Sequence, residues 1–151
     1  MTATNTAFIF FQSFVKRLGD GDIDLSGPAS HFFAQLHHSG ANLTPASDPS
    51  ILSDVAGSVD GAAGSIRRYL VNCHWTALGA AEASAFVWDS DALVWTASGA
   101  MTTKFAVFFM SVAAACAYPI GYLGLVAADS VVTAGNTVTL TPNPYWFSMS
   151  R

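Results

Sequence analysis

Short runs of β-forming residues, each ended by a turn signal, follow one another through most of this chain. The clearest run is residues 67–77, in which Tyr69, Val71, Cys73 and Trp75 alternate with Arg68, Asn72, His74 and Thr76, with Leu70 as the exception. We expect the first four side chains to be buried and Arg68, Asn72 and His74 to be more exposed. Further strands are predicted at residues 23–25, 31–37, 85–88, 92–97, 103–112, 120–127, 130–133, 137–141 and 145–150. This pattern predicts an all-β chain: a β-sandwich, a jelly roll or another closed all-β fold.

The N-terminal segment differs, because residues 8–18 have the periodicity of an amphipathic helix. Its apolar face consists of Phe8, Phe11, Phe14, Val15 and Leu18. Gly19 is predicted to take the left-handed position that ends the helix. Since so short a helix is marginal alone, we expect its phenylalanine face to pack on the protein's own sheet.

The chain of 151 residues is predicted to form one domain. Residues 1–20 are predicted to form a tail and the helix, and residues 21–151 a β-sandwich interrupted by a long polar loop at 39–64. A single turn is predicted at 51–55 inside that loop. We expect the tail, residues 1–6, and the loop to reach neighbouring subunits, because a loop of this length exceeds what packing requires.

Charged residues are scarce, at 11% of the chain against about 25% in ordinary soluble domains. Sixteen charges would have to cover roughly 7,300 Å² of monomer surface. Either other chains or lipid could bury part of that surface. The uncharged stretch between Lys104 and Asp129 is broken by Pro119, Gly121 and Gly124, so we expect burial against protein partners and no membrane span.

The net charge of −4 and the lack of a basic cluster argue against nucleic-acid binding. The apolar run at residues 7–11 is too short for the core of a secretory signal. Cys73 and Cys116 are too few for a disulfide framework, so we expect Cys73 to be buried and reduced.

Two sets of side chains suggest metal binding, but both lack the required spacing. The acidic set is Asp20, Asp22 and Asp24, and the histidine and cysteine set is His31, His37, His38, Cys73 and His74. An EF-hand loop would need glycine and glutamate where this chain has Leu25 and His31. Neighbours on a strand point to opposite faces, which separates Cys73 from His74. We therefore expect no metal and no cofactor.

Catalytic motifs are missing as well. The sequence has no nucleophile elbow and no glycine-rich phosphate loop, and Glu82 is the only glutamate. A Ser/His/Asp triad is assembled in space, so the sequence leaves that arrangement open. We expect no enzyme and no catalytic residues. The four tryptophans, Trp75, Trp88, Trp95 and Trp146, are expected in the core, with a carbohydrate platform as the alternative.

Several segments resemble a family of tailed-bacteriophage virion proteins, described as capsid decoration (cement) or minor structural proteins. The segments are FQSFVKRLGDG at 11–21 followed by Asp24-Leu25, VWDSDALVWTASG at 87–99, FAVFF at 105–109, GYLG at 121–124 and TAGNTVTLTP at 133–142, read as a hairpin. The chain departs from the family at residues 65–78, where RRYLVNCHW replaces a glycine-rich motif.

The resemblance implies a β-sandwich of jelly-roll type that stabilises the head shell as a capsid decoration protein on the virion exterior, after synthesis in the bacterial host cytoplasm. It implies two partners, the major capsid protein and further copies of the chain in a dimer or trimer. A tail or fibre component that binds host glycans or proteins is the alternative.

Overall fold

The computed structural model describes residues 2–4, 7–41, 43–44, 46–57, 67–78, 85–113 and 116–150. Strands are the main regular structure of these residues, with one short helix, which confirms the all-β class. The strands are β1 Thr2–Thr4, β2 Ile9–Phe10, β3 Phe32–His37, β4 Arg67–Tyr69, β5 His74–Leu78, β6 Ala85–Asp89, β7 Leu93–Thr96, β8 Met101–Thr103, β9 Phe105–Ala113, β10 Cys116–Gly124, β11 Ser130–Val132, β12 Thr137–Thr141 and β13 Phe147–Ser150. The helix α1 is Gln12–Asp20, and 3-10 turns lie at Ala29–His31, Ser39–Ala41 and Leu52–Asp54.

The largest sheet has the order β2-β10-β9-β3-β4, and all its pairs are antiparallel. β9 ends at Ala113 and β10 begins at Cys116, so the predicted strands at 103–112 and 120–127 leave too long a connection between them. Pro119 fits inside β10 because β2 pairs only with Gly121 and Tyr122, which leaves the strand open on that side at the proline. The register also shifts between Pro119 and Gly121.

A three-stranded sheet, β13-β6-β5, lies against the large sheet through aromatic rings. The Trp88 ring on β6 is 5.3 Å from Phe32 on β3 and 6.1 Å from Phe108 on β9, measured between centroids. All three side chains are fully buried. Burial of such rings is worth about 1.5–3 kcal/mol each, so these contacts form the centre of the core.

Two small sheets complete the described chain: β1-β12-β7, in which β1 runs parallel to β12, and β11-β8. The predicted turn at Gly135-Asn136 forms, with Asn136 N donating to Thr133 O at 3.1 Å. Its flanking strands do not pair, however, and the predicted hairpin is wrong. Ala97 exchanges backbone hydrogen bonds with Gly135 and Asn136, and the strands continue into different sheets.

The helix is shorter than predicted, since it begins at Gln12 and residues 9–10 form β2 instead. The aromatic, β-branched run before Gln12 prefers a strand. Gly121 makes this pairing possible, because a Cβ there would lie 2.4 Å from the carbonyl oxygen of Ile9. The left-handed residue that ends the helix is Gly21, with φ of 82°, in place of the predicted Gly19.

The phenylalanine face of the helical segment packs inward as predicted. Phe11 and Phe14 are fully buried, and Phe8 and Leu18 are partly buried against the same core. The segment at residues 23–25 is a turn instead of a strand, although Ile23 is buried. The aromatic face therefore holds a helix that is too short to be stable by itself.

Residues 67–77 do not form one strand. Asn72 has a φ of 53°, and the chain leaves the large sheet after β4 and enters the three-stranded sheet at β5. Leu70, the exception to the alternation, is buried and donates its N–H to Phe32 O at 2.9 Å. Tyr69 and Val71 are about half exposed, so the prediction that they are buried is wrong.

The described parts of the long loop pack on the chain's own helix. Ser13 donates its N–H to the Asp48 carboxylate and its hydroxyl to Pro49 O at 2.7 Å. The Asp48 carboxylate thus accepts a hydrogen bond from an N–H in the first turn of α1, where the helix itself offers no acceptor. The predicted turn at 51–55 is confirmed by the 3-10 turn Leu52–Asp54.

The expectation that the tail and the loop are left free for neighbouring subunits is wrong for the described parts. Thr2–Thr4 pairs with β12, and Val55 is buried in the core. Residues 1, 5, 6, 42, 45 and 58–64 lie outside the described residues.

Candidate interaction surface

The acidic triplet is held by local partners. The Ser26 hydroxyl and N–H both donate to Asp24, and these hydrogen bonds hold the pKa of the Asp24 carboxyl below its usual value. Asp20 pairs with Lys16, and Asp22 lies 3.4 Å from Arg17. Among the described residues, no group of three or more His, Cys, Asp or Glu side chains is placed to hold a metal ion.

The structure places the predicted histidines in separate surroundings. His37 is buried and donates Nδ1–H to Ala56 O at 2.8 Å, and burial lowers its pKa to about 4. His38 accepts the Gly40 N–H, His74 contacts Asn72 O, and His31 is exposed. At neutral pH, His37 is therefore a neutral core residue.

Ser39, His38 and Asp129 come closest to a catalytic grouping. The Ser39 hydroxyl and N–H donate to Asp129 at 2.6 and 2.8 Å, and they lower the pKa of that carboxyl. A nucleophilic triad needs histidine between the serine and the carboxylate. Here the Asp129 carboxylate accepts the hydrogen bond of the Ser39 hydroxyl directly, so the group anchors the 3-10 turn Ser39–Ala41 to the segment before β11. Glu82 lies outside the described residues.

The tryptophans divide into two kinds. Trp88, Trp95 and Trp146 are fully buried, which confirms the core prediction for three of the four. Trp146 also donates Nε1–H to Ser90 Oγ at 2.8 Å, which satisfies its one polar atom. Trp75 is only partly buried. Cys73 packs beside it against the core, and burial raises the pKa of the Cys73 thiol to about 12.

A cleft lined by aromatic side chains opens where the N-terminal segment meets β13. Phe147 is its floor, with the rings of Phe8 and Phe10 at 4.9 and 4.7 Å between centroids. The cleft has a volume of about 370 Å³ and is lined by Ala7, Phe8, Phe10, Asn143, Tyr145, Trp146, Phe147 and Ser148. We call it the aromatic cleft.

Partly exposed rings continue from this cleft across the three-stranded sheet. The Phe147 ring is 6.2 Å from Trp75, and Trp75 stacks on Phe86 at 5.4 Å with an interplanar angle of 11°. Phe86 is 39% exposed. Asp89 is the only Asp, Glu, Lys or Arg in β5, β6 and β13. Phe147 is buried and Trp75 is partly buried, so this row reaches the surface at Phe86, and the surface around it carries almost no charge.

Sequence reasoning missed this face, because it treated aromatic residues on strands as core. The signal was present in two clusters, residues 8–11 and 145–147, which together place six aromatic rings in seven positions. The arrangement suits contact with apolar or aromatic groups of a partner.

A second cleft, of about 380 Å³, lies beside the long loop and is lined by Ala41, Leu43, Ser47, Asp48, Pro49 and Asp54. Its carboxylates are already used, since Asp48 accepts from Ser13 and Asp54 accepts from Ser50 and Ile51. These hydrogen bonds hold the loop in place.

Comparison with protein-family models, curated proteins and solved structures finds no match to this chain. Within the part of the chain that the structure describes, no helix combines the length and the apolar character of a membrane span.

Proposed function

We propose that this chain is a structural virion protein of a tailed bacteriophage, a capsid decoration (cement) protein that stabilises the head shell. Its partners are the major capsid protein and further copies of itself, on the exterior of the capsid. The observation that carries the proposal is the aromatic cleft, an uncharged recess lined in part by the partly buried rings of Phe8 and Phe10, on a chain with few charges. The resemblance of residues 11–21 and 87–99 to such proteins supplies the kind of partner.

We also propose the finer architecture, a β-sandwich of jelly-roll type. Support comes from the ring contacts of Trp88 with Phe32 and Phe108, which join the three-stranded and five-stranded sheets. Further support comes from Phe8, whose ring is 5.3 Å from Phe108 and 4.9 Å from Phe147. Such interdigitation of facing sheets is typical of a sandwich.

The chemistry of the cleft suits a lasting contact. Phe8 and Phe10 are already anchored on Phe147, so they lose little conformational freedom when a partner covers them. Lasting interfaces are more apolar than ordinary surface, and anchors of this aromatic kind dominate their energetics. We expect binding to the shell to depend weakly on salt, because the cleft lining contains no charged side chain.

The test mixes purified protein with particles that lack it and sediments the particles. The variant Ala7→Arg places a long charged side chain in the cleft from an exposed position, and Ala128→Arg, equally exposed elsewhere, is the matched control. We expect wild type and Ala128→Arg to sediment with particles and to raise the temperature at which DNA is released. Ala7→Arg should stay in the supernatant. Failure of the wild-type protein to bind or to raise that temperature contradicts the cement proposal.

The alternative, a tail or fibre component that binds glycans, draws on one observation. The cleft combines aromatic rings with the Asn143 amide, and sugars are commonly bound by ring stacking together with amide hydrogen bonds. Copy number separates the two functions, since a shell protein is present in hundreds of copies and a tail protein in a few. Binding of a glycan to wild type but not to Ala7→Arg would favour the tail function.

A further inference from the structure

The outer edge of β5 is a strand edge without a partner among the described residues. β5, His74–Leu78, pairs with β6 on one side only, in the order β13-β6-β5. Such an edge presents unpaired N–H and C=O groups, which are a template for a further strand. β4, the edge strand of the large sheet, carries Arg67 and Arg68, whereas β5 has no Lys, Arg, Asp, Glu or Pro.

The register of the sheet defines the face that β5 presents. Trp75 lies opposite Trp88, and Ala77 lies opposite Phe86. On the far side of β6, Phe147 lies opposite Trp88 and Met149 opposite Phe86. The face of this sheet that packs on the large sheet therefore carries two rows, Trp75-Trp88-Phe147 and Ala77-Phe86-Met149, in which Trp88 and Phe147 are buried. At the free edge of β5, the first row ends in the large ring of Trp75, and the second row ends in the methyl group of Ala77.

From this face we propose that β5 pairs antiparallel with β5 of a second copy, around a two-fold axis at Thr76. In that register each Trp75 lies opposite the partner copy's Ala77, so a large side chain meets a small one on both sides of the axis. Trp75 can then cover the exposed Phe86 ring across the junction. A two-fold contact must be complementary to itself, and the rows of this sheet meet that requirement.

The absence of charge supports a second copy as the occupant of this edge. Two copies carry the same net charge of −4, so self-association needs a surface where like charges do not face each other. β5 provides it, because its residues are His, Trp, Thr, Ala and Leu. Thr76 is exposed, and in the proposed dimer it faces its own equivalent.

The test uses the full chain in solution, with mass measured by light scattering after size-exclusion chromatography over a range of concentrations. We expect wild type to dimerise. Thr76→Lys should weaken the dimer by about tenfold or more, because it sets two like charges directly opposite each other. Thr96→Lys, on an exposed threonine of β7, is the matched control and should dimerise as wild type does.

A charge-swap mixture tests the two-fold axis itself. Thr76→Asp alone should also be largely monomeric, and an equal mixture of Thr76→Asp and Thr76→Lys should restore the dimer. A third variant, Thr76→Cys, should form a reducible cross-linked dimer when a mild oxidant such as oxidised glutathione accepts the two electrons, because paired residues have Cα atoms about 4.5–5.5 Å apart, within the range of a disulfide. Thr96→Cys should not cross-link.

Three outcomes overturn the proposal: a monomeric wild-type chain, a Thr76→Lys dimer as strong as wild type, or a charge-swap mixture that stays monomeric. The β5 pairing specifies an interface for the homo-oligomer of the proposed function, and its role on the shell rests on that function. The two remain distinguishable, since dimerisation is measured on free protein and shell binding on particles.

Discussion

Acidification should destabilise this protein through one histidine. His37 is fully buried, and its Nδ1–H already donates to Ala56 O. Its Nε2 has no hydrogen-bond partner within the described structure. A second proton would therefore create a buried cation whose new N–H has no acceptor, and this is why burial lowers the pKa of His37 to about 4.

The size of the effect follows from the difference between the folded and unfolded pKa values. The unfolded chain takes up the proton near pH 6.5 and the folded chain near 4, so the unfolded state binds more protons between these values. Stability is then fully retained above pH 6.5 and falls as the pH drops toward 4. A shift of this size corresponds to about 3 kcal/mol, at 1.36 kcal/mol per pKa unit.

Urea unfolding at pH 7.5, 6.0, 5.0 and 4.5 measures this loss. The variant His37→Asn keeps a donor near the position of Nδ1 but cannot be protonated, so its free energy of unfolding should change less over this range than that of wild type. His31→Asn, on an exposed histidine, is the control and should follow wild type. If His37→Asn loses as much stability as wild type between pH 7.5 and 4.5, the argument from burial is refuted.

Three further predictions concern the core and the loop. Asp48→Ala should lower the free energy of unfolding by about 1 kcal/mol, because it removes the acceptor of the Ser13 N–H at the start of α1, while Asp48→Asn should retain most of that stability in urea unfolding. Trp88→Ala should cost about 3–5 kcal/mol, and Trp75→Ala should cost clearly less since its ring is only partly buried; equal losses in urea unfolding would contradict the burial difference. Cys73 should resist iodoacetamide at pH 8 in the folded protein, where a pKa of about 12 leaves a thiolate fraction of about 10⁻⁴, and should react after unfolding in urea, as mass spectrometry of the labelled chain can show.

Local sequence patterns predicted where strands occur much better than how they pair. The predicted strands at residues 31–37, 85–88, 92–97, 103–112 and 145–150 lie close to β3, β6, β7, β9 and β13. Alternation and turn residues are local properties, so a single sequence contains them. Strand pairing depends on residues that are distant in the sequence. At the turn Gly135-Asn136, Ala97 forms backbone hydrogen bonds with both turn residues, and the flanking strands pair in different sheets.

The errors in burial have the same origin. Residues 67–77 alternate except at Leu70, but the chain turns at the left-handed Asn72, which divides these residues between two sheets, and Leu70 lies in the core. Likewise, Gly121 allows β2 to pair closely with β10, and the helix begins only after this strand, at Gln12. The helical periodicity of residues 8–11 contains no information about that pairing. The aromatic cleft depends on both ends of the chain meeting at Phe147, and no local pattern contains that contact.

The two proposed surfaces lie at opposite edges of one sheet, and this placement has a consequence for shell binding. The aromatic cleft includes Phe147 and Ser148 on β13, while the proposed dimer forms at β5, on the other side of β6. A dimer would therefore leave both clefts open and could attach to the shell at two points. Two linked contacts can exceed the affinity of one by about 10²–10⁴-fold without any new contact. We thus expect Thr76→Lys to weaken binding to particles although its cleft is intact. The charge-swap mixture should restore binding, because it restores a dimer that carries two clefts. Equal binding by Thr76→Lys and wild type would mean that each copy attaches alone.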